Sequence, residues 1–199
     1  SKDRGILAFD VMKEKIRCFV ALDLPEGAVR EIRKIQEKLK ERNLFSGKFT
    51  ESENLHLTLK FLGEITEEKL KRVREKLREI RFEEFDADLG EVGVFSQKFL
   101  RIIWIQVIGK VFQLQREIDA KLKDFFQPEF RFMSHVTIAR IKKVSDRKAL
   151  IECLKKIRVS KTRFKVDKFL LKKSELTPDG PIYTNIEEYG LEKNKNPIG

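Results

Sequence analysis

The 199-residue chain is long enough for one sizeable domain or two small lobes around a buried core, with no need of disulfide or metal staples. With 41% hydrophobic and 38% charged residues, both signs interspersed, its composition is that of neither a membrane-spanning nor an intrinsically disordered chain. The formal net charge of +11 creates a positive field suited to polyanions, nucleic acid foremost, although a solvated Lys/Glu surface accounts for the same charge.

Lys2, Asp3 and Arg4 precede a short apolar patch at 5–9 that lacks the length of a signal-peptide core. Residues 16–24 (IRCFVALDL) are rich in β-formers and read as a strand, and Pro25 then opens a helix. In that helix, 26–42, Val29, Ile32, Ile35 and Leu39 recur at spacings of three and four, forming one apolar stripe. Residues 43–48 read as a loop. Residues 54–62 (NLHLTLKFL) read as a strand ended by Gly63. Thr66 reads as the N-cap of a second helix whose stripe is Leu70, Val73, Leu77 and Ile80. Strands at 85–95 and 99–107, joined through 96–98, predict an antiparallel hairpin. The apolar run at 99–109 is broken by Arg101 and Gln106 and is too short to cross a bilayer.

The second half repeats the order of elements without repeating the letters: a helix at 111–126, a loop with Pro128, a strand at 134–141 and a helix at 146–157. Strands at 163–171 and 182–189 close the chain, and residues 193–199 read as a loose tail. Two similar halves argue for an α+β protein of two lobes, each a sheet backed by helices. The sixteen Phe residues are expected to supply much of the core.

Cys18 and Cys153 are far apart and form no C-x-x-C pair, so neither a zinc site nor a disulfide framework is expected, and a reducing, cytoplasmic setting fits. The two histidines of the chain, in contrast, sit in the same phrase: Leu55-His56-Leu57-Thr58-Leu59 and Ser134-His135-Val136-Thr137-Ile138. Because side chains alternate across a strand, each phrase presents an imidazole and a hydroxyl on one face and apolar residues on the other. A single His-x-Thr is an ordinary half-buried polar pair. With seven Thr in 199 residues, however, finding one two positions after both histidines has a chance probability of roughly one in a thousand.

A cleft holding two imidazoles and two hydroxyls suits phosphodiester cleavage without a metal or cofactor. A neutral histidine takes a proton from water, a protonated one gives a proton to the departing ribose oxygen, and the hydroxyls donate to the non-bridging oxygens as charge builds on them. Catalytic zinc wants three protein ligands, and here two histidines lie on different strands with no third ligand nearby. No G-x-S-x-G elbow and no glycine-rich phosphate loop is present either.

These phrases, with the opening strand at 17–23, NLHLTLKFLGE at 54–64, SHVTIAR at 134–140 and SELTPDGPIY at 174–183, resemble the 2H phosphoesterases. Within them the chain looks like the RNA 2′,3′-cyclic phosphodiesterase or 2′-5′ RNA ligase branch, with a LigT-like fold, over nearly its whole length. The resemblance implies a bilobal, pseudo-two-fold α+β fold with antiparallel sheets and a basic cleft in which a terminal 2′,3′-cyclic phosphate is hydrolysed to a 2′-phosphate. It casts His56 as proton donor and His135 as proton acceptor, with Thr58 and Thr137 holding the phosphate; the reverse division of labour gives the same bell-shaped pH dependence. The implied partners are RNA ends carrying the cyclic phosphate, tRNA fragments among the candidates, with no membrane, no metal and a monomeric state. The domain is placed at 16–192. Residues 1–15 depart from the family, which begins just before its first strand: either Met12 is the natural start or the extension is native.

Three further residues are candidates for substrate contact. Lys60 shares the His56 face by simple alternation, as a cleft cation or a solvated lysine. Phe19 is a candidate to stack on a base, with core packing the competing role. Arg140 matches a family arginine, yet simple alternation turns it away from His135 unless the strand bulges. Two rival functions stand beside the hydrolase: a non-catalytic module binding RNA ends or nucleotides, and a 2H enzyme acting on another cyclic nucleotide.

Overall fold

The computed structural model describes residues 14–195. Of the proposed N-terminal extension, residues 1–13 lie outside the described residues, as do 196–199 of the tail. The chain runs β1 (Lys15–Asp23), α1 (Glu26–Arg42), β2 (Phe45–Phe49), a 3-10 turn (Ser52–Asn54), β3 (His56–Thr66), α2 (Glu67–Arg78), β4 (Phe85–Val94) and β5 (Ile102–Ile108). It continues with α3 (Val111–Lys121), β6 (His135–Val144), α4 (Arg147–Lys156), β7 (Arg163–Val166), β8 (Lys168–Thr177) and β9 (Gly180–Gly190).

Local chemistry explains most of these boundaries. Pro25 presets φ at −71° ahead of α1, and Asn43 closes that helix in the left-handed region at φ 47°, its N–H reaching the carbonyl of Lys40. Thr66 caps α2 by accepting from the Lys69 N–H, and Asp146 caps α4 by accepting from Ala149.

The strands form two antiparallel sheets, a four-stranded one in the order β3-β1-β8-β9 and a five-stranded one in the order β2-β6-β5-β4-β7. They pack against each other along β3 and β6, the two histidine strands. Helices α2 and α3 lie against β3 of the four-stranded sheet, whereas α1 lies against β6 and β7 and α4 against β4 of the five-stranded sheet. Helix α1 follows a strand of the first sheet but packs on the second, and α3 follows a strand of the second but packs on the first. The two lobes are therefore not the two sequence halves; each half lends its first helix to the other lobe, which binds the lobes into one unit.

Several sequence readings need correction. The 43–48 loop holds a strand: β2 pairs Lys48 with Arg140 and Phe49 with Ala139, extending the sheet beyond β6. Gly63 does not end its strand. At φ +72° it sits opposite Cys18 and lets β3 continue to Thr66, because glycine takes a positive φ without steric cost. Helix α3 stops at Lys121 rather than near 126. The segment read as one strand at 163–171 is two, broken at Asp167, where the chain leaves β4 and crosses to β1 in the other sheet.

The core is also more aliphatic than the Phe count implies. Leu22, Ile32, Ile35, Leu57, Leu59, Ile103, Ile105, Leu114 and Ile118 are fully enclosed in one cluster shared by both sheets. Phe169 joins them, but Phe61, Phe95, Phe99, Phe112 and Phe130 are exposed. Branched aliphatic side chains fill the narrow space between sheet and helix, and many aromatics are left for the open faces and rims.

Candidate active site

Both histidines begin their strands, and both strands carry the same defect. In β3, Thr58 pairs with Ala21 and Lys60 with Val20, so Leu59 has no partner across the ladder. In β6, Thr137 pairs with Trp104 and Ala139 with Ile103, leaving Ile138 as the extra residue. Each is a bulge three residues after the histidine, and it reverses the alternation that follows. Leu59 and Lys60, and likewise Ile138 and Ala139, are consecutive buried residues. The residue five places after each histidine, Phe61 or Arg140, then returns to the open side.

The bulges decide two of the sequence candidates. Arg140, which strict alternation turns away from His135, is exposed on the histidine side of the sheet, and its charge acts on His56 and Tyr183 across the sheet boundary. Lys60 is turned the other way. It is neither a cleft cation nor a solvated lysine: its ammonium is buried 2.5 Å from Asp119 of α3 and donates to the carbonyl of Gln127 at 2.8 Å.

The carbonyl of Ile138, next to the β6 bulge, is satisfied from outside its ladder. It accepts from the buried side-chain amide of Gln36 at 2.9 Å and from the N–H of Thr50 at 3.0 Å. The Gln36 amide also reaches the Thr50 carbonyl, and the Thr50 hydroxyl donates to the carbonyl of Thr137 at 3.0 Å. One glutamine from a helix borrowed from the other half thus pins the strand that carries His135.

The imidazoles are held alike. Nδ1 of His56 lies 2.7 Å from the carbonyl of Asn54, and Nδ1 of His135 lies 2.7 Å from the carbonyl of Met133. A carbonyl can only accept, so each Nδ1 carries the hydrogen, and Nε2 is the nitrogen of each ring whose protonation can change. Nε2 of His56 is 3.0 Å from Oγ1 of Thr58. Among the described residues no protein group bonds to Nε2 of His135.

Aromatic rings fix both imidazoles from the side. Phe19 lies 5.0 Å from the His56 ring, and Tyr183 meets that ring edge-on at 5.1 Å. Phe95 meets His135 edge-on at 5.1 Å. Phe19 is only 3% exposed, covered by His56, Phe61 and Tyr183, and lies outside the aliphatic cluster. It offers no free face to a base, so of its two candidate roles it takes the packing one: a buried ring that forms the wall behind His56 rather than a stacking platform.

Both imidazoles are held below their ordinary pKa. For His56 burial is the main cause; Lys172 and Arg140 push the same way, while the Asn54 carbonyl and Asp23 oppose it. For His135 burial again dominates, against the Met133 carbonyl. The surroundings are cationic, with Arg140, Lys172 and Arg17 all acting on this region. Lys172 is itself held by Asp23 at 2.9 Å and by Asn185 at 2.9 Å. The sheets are also clasped at one end, where Lys48 of β2 donates to the carbonyl of Asp179 in the β8–β9 turn at 3.0 Å. Among the described residues no group of three or more His, Cys, Asp or Glu is placed to hold a metal ion.

Sequence reasoning did not name Tyr183, Phe95, Lys172 or the two carbonyls that orient the imidazoles. Tyr183 ends the 174–183 segment already singled out, but its place beside His56 depends on the pairing of Ser174 with Tyr183 in the β8–β9 hairpin. The carbonyls carry no side-chain signal at all.

A fold of two antiparallel sheets sharing exchanged helices, with one H-x-T phrase at the start of a bulged strand in each, defines a two-histidine phosphoesterase scaffold. The family model for LigT-like phosphoesterases matches residues 22–104 and 106–183, and the chain belongs to that family. A protein of Methanothermobacter thermautotrophicus called RNA 2′,3′-cyclic phosphodiesterase is 38% identical over 184 residues, covering 89% of this chain and 100% of its own length. One of the same name from Methanocaldococcus jannaschii is 36% identical over 178 residues, covering 87% and 100%. Among solved structures, TT0787 of Thermus thermophilus superposes with a TM-score of 0.72 at 26% identity, over 88% of this chain and 97% of that one. Escherichia coli LigT in its apo form shares the fold with a TM-score of 0.71 at 24% identity, over 89% and 98%.

Proposed function

We propose that this protein hydrolyses the terminal 2′,3′-cyclic phosphate of RNA to a 2′-phosphomonoester, by acid and base catalysis from its two histidines. The observation that carries the reading is the matched pair of imidazoles, each with Nδ1 committed to a carbonyl two residues upstream, so that proton transfer falls to Nε2, beside the Thr58 hydroxyl in His56 and unengaged in His135. The names of the relatives from Methanothermobacter and Methanocaldococcus support the substrate.

In this scheme Nε2 of neutral His135, which no protein group engages, takes a proton from water as the water oxygen bonds to phosphorus. The bond from phosphorus to the 3′ oxygen breaks, and protonated His56 delivers its Nε2 proton to that oxygen. Thr58 and Thr137 donate to the non-bridging oxygens, and Arg140 places a full positive charge near them, where transition-state charge gathers. The reaction adds one water and consumes no cofactor. With the 5′ hydroxyl of a second RNA in place of water, the same displacement opens the cyclic phosphate into a 2′-5′ diester, His135 taking the hydroxyl proton and the 3′ oxygen leaving with the proton of His56, so 2′-5′ ligation belongs to the same site. The physiological setting proposed is a cytoplasmic monomer acting on RNA fragments, tRNA fragments among them. No helix among the described residues is long and apolar enough to cross a membrane.

The test is hydrolysis of a nucleoside 2′,3′-cyclic phosphate in EDTA, with the product assigned by phosphorus NMR. The wild type is expected to yield the 2′-phosphate. His56→Ala and His135→Ala should each lose on the order of a hundredfold or more, and full activity in either would defeat the scheme.

A further inference from the structure

The face of the five-stranded sheet beside His135 carries a feature that the hydrolytic step does not use. Trp104 pairs with Thr137, so its indole starts one strand away from the proposed phosphate site on the same face. It lies across β4 at Gly93, where an added Cβ would come within 2.6 Å of the ring. The same strand bulges between Leu89 and Val92, and a Cβ on Gly90 would come within 2.8 Å of Gln106. Two glycines thus clear room for side chains of β5 to lie flat. Phe95, half exposed, stands 5.9 Å from the indole and 5.1 Å from the His135 ring, joining Trp104 to the catalytic side chain.

From these rings a cavity of about 840 Å³ runs along the stretch of β4 beyond its pairing with β7. That volume is in the range of ligand sites, about 300–1,000 Å³. Its far side is formed by Ile151, Leu154, Ile157 and Val159 of α4 and the segment after it, with Lys155 and Arg158 as its cations, and Glu91 is the carboxylate on its lining. Among the described residues neither cation takes part in an ion pair.

We infer that this groove is a subsite for single-stranded RNA: Trp104 and Phe95 receive the base of the nucleotide that bears the cyclic phosphate, and Lys155 and Arg158 bind the backbone of the nucleotides preceding it. Aromatic faces followed by cations are what a flexible polyanion with stackable bases requires, whereas a duplex keeps its bases stacked on one another. The inference rests on the proposed hydrolase reading and deepens it, since it makes an oligonucleotide end, rather than a free nucleotide, the preferred substrate.

Trp104 is the one tryptophan in the chain, so its fluorescence reports on the subsite alone. The experiment titrates wild type and the Lys155→Ala/Arg158→Ala double variant with a hexanucleotide ending in a 2′-phosphate and with a nucleoside 2′-phosphate. Binding of the labelled hexanucleotide is followed independently by anisotropy. Saturable quenching is expected in the wild type. The double variant should bind the hexanucleotide about tenfold more weakly at low salt, with a salt slope shallower by about 1.4 for two lost phosphate contacts, while its affinity for the nucleoside 2′-phosphate changes less than about twofold. Unchanged fluorescence at saturation, absent RNA binding, equal hexanucleotide affinity in the variant, or an equal loss for both ligands would each overturn the subsite. Failure of the hydrolase reading looks different: quenching persists, but the wild type turns over no cyclic phosphate.

Discussion

The ammonium of Lys60 on β3 is paired with the carboxylate of Asp119 on α3, and both side chains are about 95% enclosed, with exposures of 5% and 6%. The other oxygen of Asp119 accepts from Gln115 at 2.9 Å and from the N–H of Glu129 at 2.9 Å, while Lys60 holds the carbonyl of Gln127. Segment 127–129 leads to Met133, whose carbonyl orients His135. A buried pair in one lobe therefore tethers the approach to the histidine of the other. Removing one partner leaves a buried charge uncompensated, which typically costs about 3–5 kcal/mol. Lys60→Met and Asp119→Leu are each expected to lower stability by that amount in urea denaturation, and the double variant to cost less than either alone. Single variants within about 0.5 kcal/mol of wild type would contradict the pairing.

The direction of the histidine shifts sets the pH dependence. Both imidazoles lie below 6.5 in the free protein, so the form with one protonated and one neutral ring is most populated on the acid side of 6.5. The kcat/KM profile should peak there, and that of kcat at higher pH, because a bound phosphate anion favours the protonated ring. Stability follows the same sign. The unfolded chain binds these protons more readily, so the histidine contribution is complete above 6.5 and declines as pH falls through the lowered folded values. A kcat/KM optimum well above about 7 would refute the assignment.

Arg140 lowers the His56 pKa through its charge. Arg140→Gln is expected to move the His56 ring resonances, followed by NMR titration, to a higher midpoint and to leave those of His135 in place. It should also reduce kcat/KM by removing the charge proposed to face the phosphate. An unmoved His56 midpoint would separate the two groups.

Gln36 satisfies two carbonyls, those of Thr50 and Ile138, with one buried amide. Replacing it with Met keeps the volume but removes both donor hydrogens: the Ile138 carbonyl keeps the Thr50 N–H, while the half-buried Thr50 carbonyl loses the Gln36 amide, and an acceptor left unpaired costs about 1–3 kcal/mol. Gln36→Met is expected to lower the Tm and, by loosening the β6 bulge, to reduce kcat more than it raises KM. A variant as stable as wild type would show that solvent replaces the amide.

Gly63 holds a positive φ within β3 with no atom near the position a Cβ would take. The cost of Gly63→Ala is therefore conformational strain alone, about 1–2 kcal/mol, and Gly63→Asn should cost less. Equal losses for the two would point to a steric cause instead.

What was legible in the chain was local and periodic. The stripes of α1 and α2, the cap at Thr66, and the alternation that turns His56 with Thr58 and His135 with Thr137 to one face all follow from side-chain spacing along a single element. The strand content of 43–48 was not legible: Phe45, Ser46, Gly47, Lys48 and Phe49 have no marked alternation and form a strand through the edge of β6.

The amino-acid sequence by itself determined which groups the chain can bring to bear, two imidazole–hydroxyl phrases on strands with apolar reverse faces in a basic protein, because those depend on residue identity and a two-residue period. Tertiary structure decided which way the residues beyond the phrases turn. The bulges at Leu59 and Ile138 are set by pairing with β1 and β5, and they sent Lys60 to Asp119 and Arg140 to the open face. It also decided the ring contacts around His56 and the exchange of α1 and α3 between lobes, since both arise from contacts between residues far apart in the chain, where no local spacing records them.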